Sequence, residues 1–337
     1  MLVLVFVLGL TANAQDTIEK TTGEFSTVKV YDLIKPFINL TPLIKASDDF
    51  DNLFNTKLFF KCEFLQKSGS FKSRGAINNI LSIKEDKLKN GITTVSAGNH
   101  AIAASYAANL FNIKNKIFLY KSANQFRVQT CKNLNANIIF TDPELAFQNV
   151  KSAEDQGYTF VHPFDGVYTL QGTSTLGYEI FNQIKDIDNV VISIGGGGLI
   201  SGVGAFLKQL NPKCKIIGIE PEGASGMTES IKKGYAIHNV IIDSIADSLC
   251  APLHMPYSFS VAKQVIDEIV TVKDEEMIKS MKFAAEQLKL FLEPACVAGI
   301  AALAGSLKGR LLNQKTLVIL CGSNIDIDSW YNLIKKK

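Results

Sequence analysis

Two short runs, VVISI at 190–194 and TLVILC at 316–321, are apolar on both faces. A strand with no polar face must be covered on both sides, as in a parallel sheet sandwiched between helices. From Leu58 onward such runs alternate with longer stretches of helical period. Strands are expected at 58–62, 92–95, 116–120, 137–140, 190–194, 215–220, 268–272 and 316–321. Helices are expected, among others, at 73–88, 101–111, 144–156, 199–210, 274–288 and 295–307. The alternation predicts an α/β chain with helices on both faces of its parallel sheets. In such folds ligands bind outside the carboxyl ends of the strands, so the loops there should carry the chemistry.

The 337 residues suggest two domains at about 150 residues each. Thirty-five basic and 32 acidic residues leave a net charge of +3, which makes no case for a nucleic-acid partner. The six cysteines (Cys62, Cys131, Cys214, Cys250, Cys296, Cys321) show neither C-x-x-C pairs nor a zinc pattern with the four histidines, and read as buried free thiols. No segment is long enough to span a membrane. The start is ambiguous. LVLVFVLGL followed by Ala12-Asn13-Ala14 resembles a short signal peptide over residues 1–14, but no basic residue precedes Lys20. A cytoplasmic protein with a short leader is the preferred reading, and export is the alternative.

Three loops stand out. Gly195, Gly196, Gly197 and Gly198 follow VVISI and open an apolar helix. Glycines let the backbone approach a ligand closely, and the helix N-terminus favours an anion, so this loop reads as a phosphate cradle or else a flexible turn. It lacks the Lys-Ser/Thr of a P-loop and the spacing of the dinucleotide fingerprint. Ser96-Ala97-Gly98-Asn99-His100 joins a strand to a small-residue helix, which suits carboxylate capture or ordinary capping. Ser68-Gly69-Ser70-Phe71-Lys72-Ser73-Arg74 opens a third helix. Lys72 and Arg74 in its first turn oppose the macrodipole and ask for a compensating anion or a covalent use. A lysine near phosphate and carboxylate cradles points to an amine that forms a Schiff base with a carbonyl cofactor.

In this order the three loops resemble the fold-type II pyridoxal-phosphate enzymes, which include threonine and serine dehydratases, serine racemase, cysteine synthase and the tryptophan synthase β-chain. Thr41-Pro42-Leu43, His162-Pro163-Phe164-Asp165, Gln171-Gly172-Thr173, Gly218-Ile219-Glu220-Pro221, Ile245-Ala246-Asp247-Ser248, Glu293-Pro294-Ala295 and Cys321-Gly322-Ser323-Asn324 place the likeness near the threonine/serine dehydratases. It covers nearly all of the chain from Thr41 to Ile327. The resemblance implies a two-domain enzyme, with 25–90 and 166–334 forming the large cofactor-binding domain and 91–165 the small one. It implies that Lys72 is the Schiff-base lysine and general base, and that Phe71 lies against the cofactor ring. Asn99 would bond the ring hydroxyl, while Gly195, Gly196, Gly197 and Gly198 hold the phosphate. Cys321 would sit beside the ring nitrogen, and Ser96, Asn99 and His100 would hold the substrate carboxylate. The implied activity is dehydration and deamination of a β-hydroxy amino acid, L-threonine or L-serine, to a 2-oxo acid and ammonia, by a homo-oligomer. A racemase or β-replacement synthase is the alternative within the family. A periplasmic solute-binding protein or a non-catalytic cofactor-binding protein is the alternative outside it.

Two departures bear on this. Relatives that bind a divalent cation use positions aligned with Glu220, Ala224 and Gly226. Gly226 offers no carboxylate, so a cation rests on Glu220 alone, with Glu222 as a substitute. Ala97 stands where racemases of the family carry a serine as the second acid or base, and alanine moves no proton.

Overall fold

The computed structural model describes residues 24–96 and 98–335; the expected leader and Ala97 lie outside them. Ten strands form two sheets: β1 Leu43–Lys45, β2 Lys57–Cys62, β3 Ile92–Val95, β4 Asn115–Tyr120, β5 Ile138–Thr141, β6 Thr159–Phe160, β7 Asn189–Ser193, β8 Lys215–Pro221, β9 Glu268–Val272 and β10 Lys315–Leu320. The larger sheet runs β1-β2-β10-β7-β8-β9, and the smaller runs β5-β4-β3-β6. All pairings are parallel except β1 with β2, where an antiparallel edge strand closes an otherwise parallel sheet. β7 is buried at every residue, as its apolar pattern requires. Helix Pro294–Ala304 lies so close to β7 and β10 that a Cβ on Gly299 would meet Val318 at 2.7 Å and Val191 at 3.2 Å. No larger residue fits there without moving the helix off the sheet.

Several expectations change. The helix expected over 73–88 is two helices, Lys72–Ser82 and Glu85–Leu88, because Ile83 and Lys84 take extended backbone. The helix expected over 274–288 becomes a π-helical turn from Ala284 and ends where Lys289 enters the left-handed region at φ 58°. β1 and β6 were not anticipated; at three and two residues they are too short for any period to show. The four strands of the smaller sheet all fall between Ile92 and Phe160. Its core also takes in Val30, Ile34, Ile77 and Ile80 from helices Glu24–Ile34 and Lys72–Ser82, which precede it in the chain. All six cysteines are free, five of them buried and Cys250 half-buried. Among the described residues, no helix is long and apolar enough to cross a membrane.

Candidate active site

One cleft opens where the carboxyl ends of β3, β4 and β7 approach the start of helix Lys72–Ser82 and the end of β10. Phe71, Lys72, Ser96, Asn99, His100, Gly195, Gly196, Gly197, Gly198 and Cys321, all singled out from the sequence, line it. The loop before Lys72 is held by the strand end that carries Cys321. The Phe71 N–H donates to the Cys321 carbonyl at 3.0 Å, and the Ser323 N–H donates to the Gly69 carbonyl at 3.0 Å. The Lys72 ammonium donates to the Pro163 carbonyl and lies 5.1 Å over the Phe71 ring. No carboxylate among the described residues pairs with it. Burial therefore pushes the amine down to about 8, opposed only by Cys321 nearby. An unpaired, desolvated lysine is in reach of its neutral, nucleophilic form.

Arg74, two residues on, finds the anions that its position in the first turn calls for. They are not a ligand but Glu63 and Glu179. Its Nε and Nη2 take the two oxygens of Glu63 at 2.8 Å each, and its Nη1 takes Glu179 at 2.8 Å. Lys61 donates to the same Glu179 at 2.6 Å, and all four side chains are buried.

The glycine loop turns from β7 into helix Gly198–Leu210, with Gly197 at its N-cap in the left-handed region, φ 94°. Gly196 passes so close to Phe164 that a Cβ there would lie 2.1 Å from the ring. The first N–H groups of that helix have no intrahelical acceptor, and its first residues, Gly198 and Leu199, line the cleft, an end of a helix where an anion is favoured.

On the opposite wall, helix Asn99–Leu110 begins at the second loop, where the Ser96 hydroxyl accepts the Gly98 N–H at 3.0 Å. The His100 ring is buried, and burial together with the Lys72 charge lowers it to about 3. The ring is therefore neutral. Its Nε2 lies 3.0 Å from the Val161 carbonyl, which can only accept, so Nε2 carries the proton and Nδ1 has none to give. The Asn99 amide donates to Glu293 at 2.6 Å and to Ser248 at 3.2 Å, and accepts from Asn324 at 2.6 Å. Cys321 donates its thiol to the Ala295 carbonyl at 3.7 Å.

Glu220 is not in the cleft. Its two oxygens accept the N–H groups of Met227 (2.7 Å) and Thr228 (2.9 Å) and the Thr228 hydroxyl (2.6 Å). They thus close the start of helix Gly226–Lys233. Among the described residues, no group of three His, Cys, Asp or Glu side chains could hold a metal. Glu220 is thus engaged in helix capping, and Gly226, at the start of the helix it caps, adds no carboxylate.

Sequence reasoning missed Arg127. From helix Gln125–Asn133 it grips Asp247 through two nitrogens at 2.6 and 3.1 Å, the Asn324 carbonyl at 2.8 Å and Glu293 at 3.4 Å. Three stretches matched only as motifs, around Asp247-Ser248, Glu293 and Asn324, thus meet on one guanidinium behind Asn99. Only the burial of a charged residue signals this, and burial is not visible in a polar helix.

An unpaired buried amine, a glycine turn at a helix N-terminus and a second helix N-terminus across the cleft suit a carbonyl compound bearing a phosphate, together with an amino acid. This is the class of enzyme that the fold and the site define. The chain belongs to the family described as pyridoxal-phosphate dependent enzyme, whose model matches residues 34–322. It is 41% identical over 295 residues to phenylserine dehydratase of Ralstonia pickettii, covering 87% of this chain and 90% of that one. It is 34% identical over 283 residues to L-threonine ammonia-lyase of Thermotoga maritima, covering 83% and 70%. Among solved structures, maize serine racemase superposes with a TM-score of 0.86 at 31% identity, covering 94% of this chain and 98% of that one. The processed threonine deaminase isoform 2 of Solanum lycopersicum gives a TM-score of 0.87 at 28% identity, covering 98% and 95%. The protein is a pyridoxal-phosphate-dependent enzyme of the kind that performs β-elimination or racemisation of amino acids.

Proposed function

We propose that this enzyme eliminates water from a β-hydroxy amino acid, L-threonine and L-serine being the smallest it would take, and releases a 2-oxo acid and ammonia. The observation that carries this reading is the desolvated Lys72 amine, held between the glycine loop and the start of helix Asn99–Leu110. The names of the Ralstonia and Thermotoga relatives, a dehydratase and an ammonia-lyase, support elimination. When bound, the cofactor supplies the electron sink that makes Cα acidic.

In this reading Lys72 is the residue that would hold the cofactor, through its carbonyl, and its amine would serve as the general base for the Cα proton. Gly195, Gly196, Gly197 and Gly198 receive the phosphate. Ser96 and the first N–H groups of helix Asn99–Leu110 orient the substrate carboxylate. His100 acts there through its backbone, since its ring proton is turned to Val161. The Asn99 amide would exchange its longer bond, to Ser248, for the ring hydroxyl. Cys321 would be the residue beside the ring nitrogen and, being a thiol rather than a carboxylate, would give that nitrogen little reason to hold a proton. Elimination is then favoured over longer-lived carbanion chemistry. The test is a 2-oxo acid assay across β-hydroxy amino acids of both configurations, with chiral analysis of residual serine. Keto-acid formation with little D-serine is expected, and Lys72→Ala should abolish both turnover and the visible absorbance of bound cofactor. Rapid D-serine formation without keto acid would overturn the reading.

A further inference from the structure

The far wall of the cleft is built from neighbouring strand ends of the smaller sheet. Val95 ends β3, Tyr120 ends β4, and Phe147 stands in the helix that follows β5; all three line the same cleft as Lys72. Tyr120 is half-buried, and burial pushes its phenol up. Phe147 keeps 41% of its surface exposed although its helix neighbours Ala146 and Val150 are buried in the small-sheet core. Its ring is therefore turned away from that core. The charged side chains on the cleft are Lys72, which has its own use, and Asp247, which is held by Arg127. Tyr120 and Phe147 thus put aromatic surface on the small-sheet side of the cleft. A flat apolar group would cover them in the offset or edge-to-face contacts that aromatic pairs prefer.

We propose that Tyr120 and Phe147 form a specificity wall for a β-aryl substituent, so that the preferred substrate class is the 3-aryl-3-hydroxy amino acids rather than serine or threonine. This rests on the elimination reading above. The test compares kcat/KM for threo-3-phenylserine and L-threonine in the holoenzyme and in Phe147→Ala, Phe147→Tyr and Tyr120→Ala. In parallel, each amino acid is titrated against the absorbance of the bound cofactor in stopped flow, read in the first phase before product forms. Expected are a phenylserine preference of tenfold or more in the native chain, a fall in that ratio of about tenfold in each alanine variant, carried by KM, and retention of the preference in Phe147→Tyr. A ratio unmoved by both alanine variants, in turnover and in titration, would overturn the wall. Absence of keto acid with a titration that still favours phenylserine, and loses that preference in Phe147→Ala, would sink the elimination reading and leave the wall standing.

Discussion

Replacing Arg74 by Met should cost this protein more than any surface change, and the buried cluster sets the size of the loss. The guanidinium, fully buried, makes four contacts of 2.8–2.9 Å to two carboxylates. Burial alone would push Glu63 up, yet the Arg74 charge beside it, with Lys61 and the Thr41 hydroxyl, holds it below the usual carboxylate range. Two cations and two anions balance in a space closed to bulk solvent. Arg74→Met leaves two buried carboxylates facing the single ammonium of Lys61. Breaking a buried pair in this way costs about 3–5 kcal/mol, a large part of the roughly 5–15 kcal/mol that holds a typical domain folded. Trp330, the only tryptophan and a buried one, reports the large-sheet core by fluorescence during urea unfolding. With a urea slope of about 3 kcal/mol per molar for a chain of this size, the midpoint should fall by about 1 M or more.

The double variant Arg74→Met/Glu63→Gln decides the cause. It removes one charge of each sign and leaves Lys61 with Glu179 as a neutral pair. It should therefore be more stable than Arg74→Met alone by about 1 kcal/mol or more, despite the additional change. A double variant that loses the sum of the two single losses would refute the electrostatic account and point to packing.

Three further outcomes follow from the site. With Lys72 near 8, the rate at which cofactor-free protein regains its visible absorbance on adding pyridoxal phosphate should rise about tenfold per pH unit below that value and level off above it; a flat profile would contradict a titrating amine. Gly197→Ala, forced to hold φ 94°, should lose roughly 1–2 kcal/mol of stability and release cofactor on dialysis more readily than the native chain, measured by thermal melting and absorbance. Arg127→Lys keeps the charge but not the fork that spans Asp247 and Asn324. It should lower kcat/KM about 10- to 100-fold through misplacement of Asn99, with the cofactor absorbance retained.

What could be read from the sequence was what is local. The all-apolar VVISI run announces β7, and the four glycines directly after it announce a turn into a helix, because strand, turn and helix N-terminus occupy consecutive residues. The same holds for Lys72 and Asn99, which sit at helix starts whose charge or capping pattern is out of the ordinary. Arg127 could not be read, since its partners lie 120 residues away at Asp247 and 166 away at Glu293. The break at Ile83 and Lys84 carries no Gly or Pro, so the helical period ran straight through it. The capping role of Glu220 was not legible either. A carboxylate at a strand end suits a cation and a helix N-terminus equally well, and the N–H groups it accepts belong to a helix start further along the chain.

The pair Lys72 and Arg74 shows how one sequence observation can have two separate physical answers. Both cations oppose the dipole of the helix they open, and read together they ask for one anion. The fold separates them instead. Arg74 points to the back of the helix, where Glu63 and Glu179 neutralise it and raise its affinity for the proton against the pull of burial. Lys72 points to the cleft, where the described residues offer it no carboxylate, and there the same effect of burial goes unopposed by a counter-ion and lowers the amine. The two effects support each other. A guanidinium without counter-ions so close by would add its own repulsion to Lys72, whereas a neutralised one anchors the helix. The lysine is then left with desolvation alone, enough to bring its amine into reach of a carbonyl near neutral pH without removing its capacity to carry a proton from Cα.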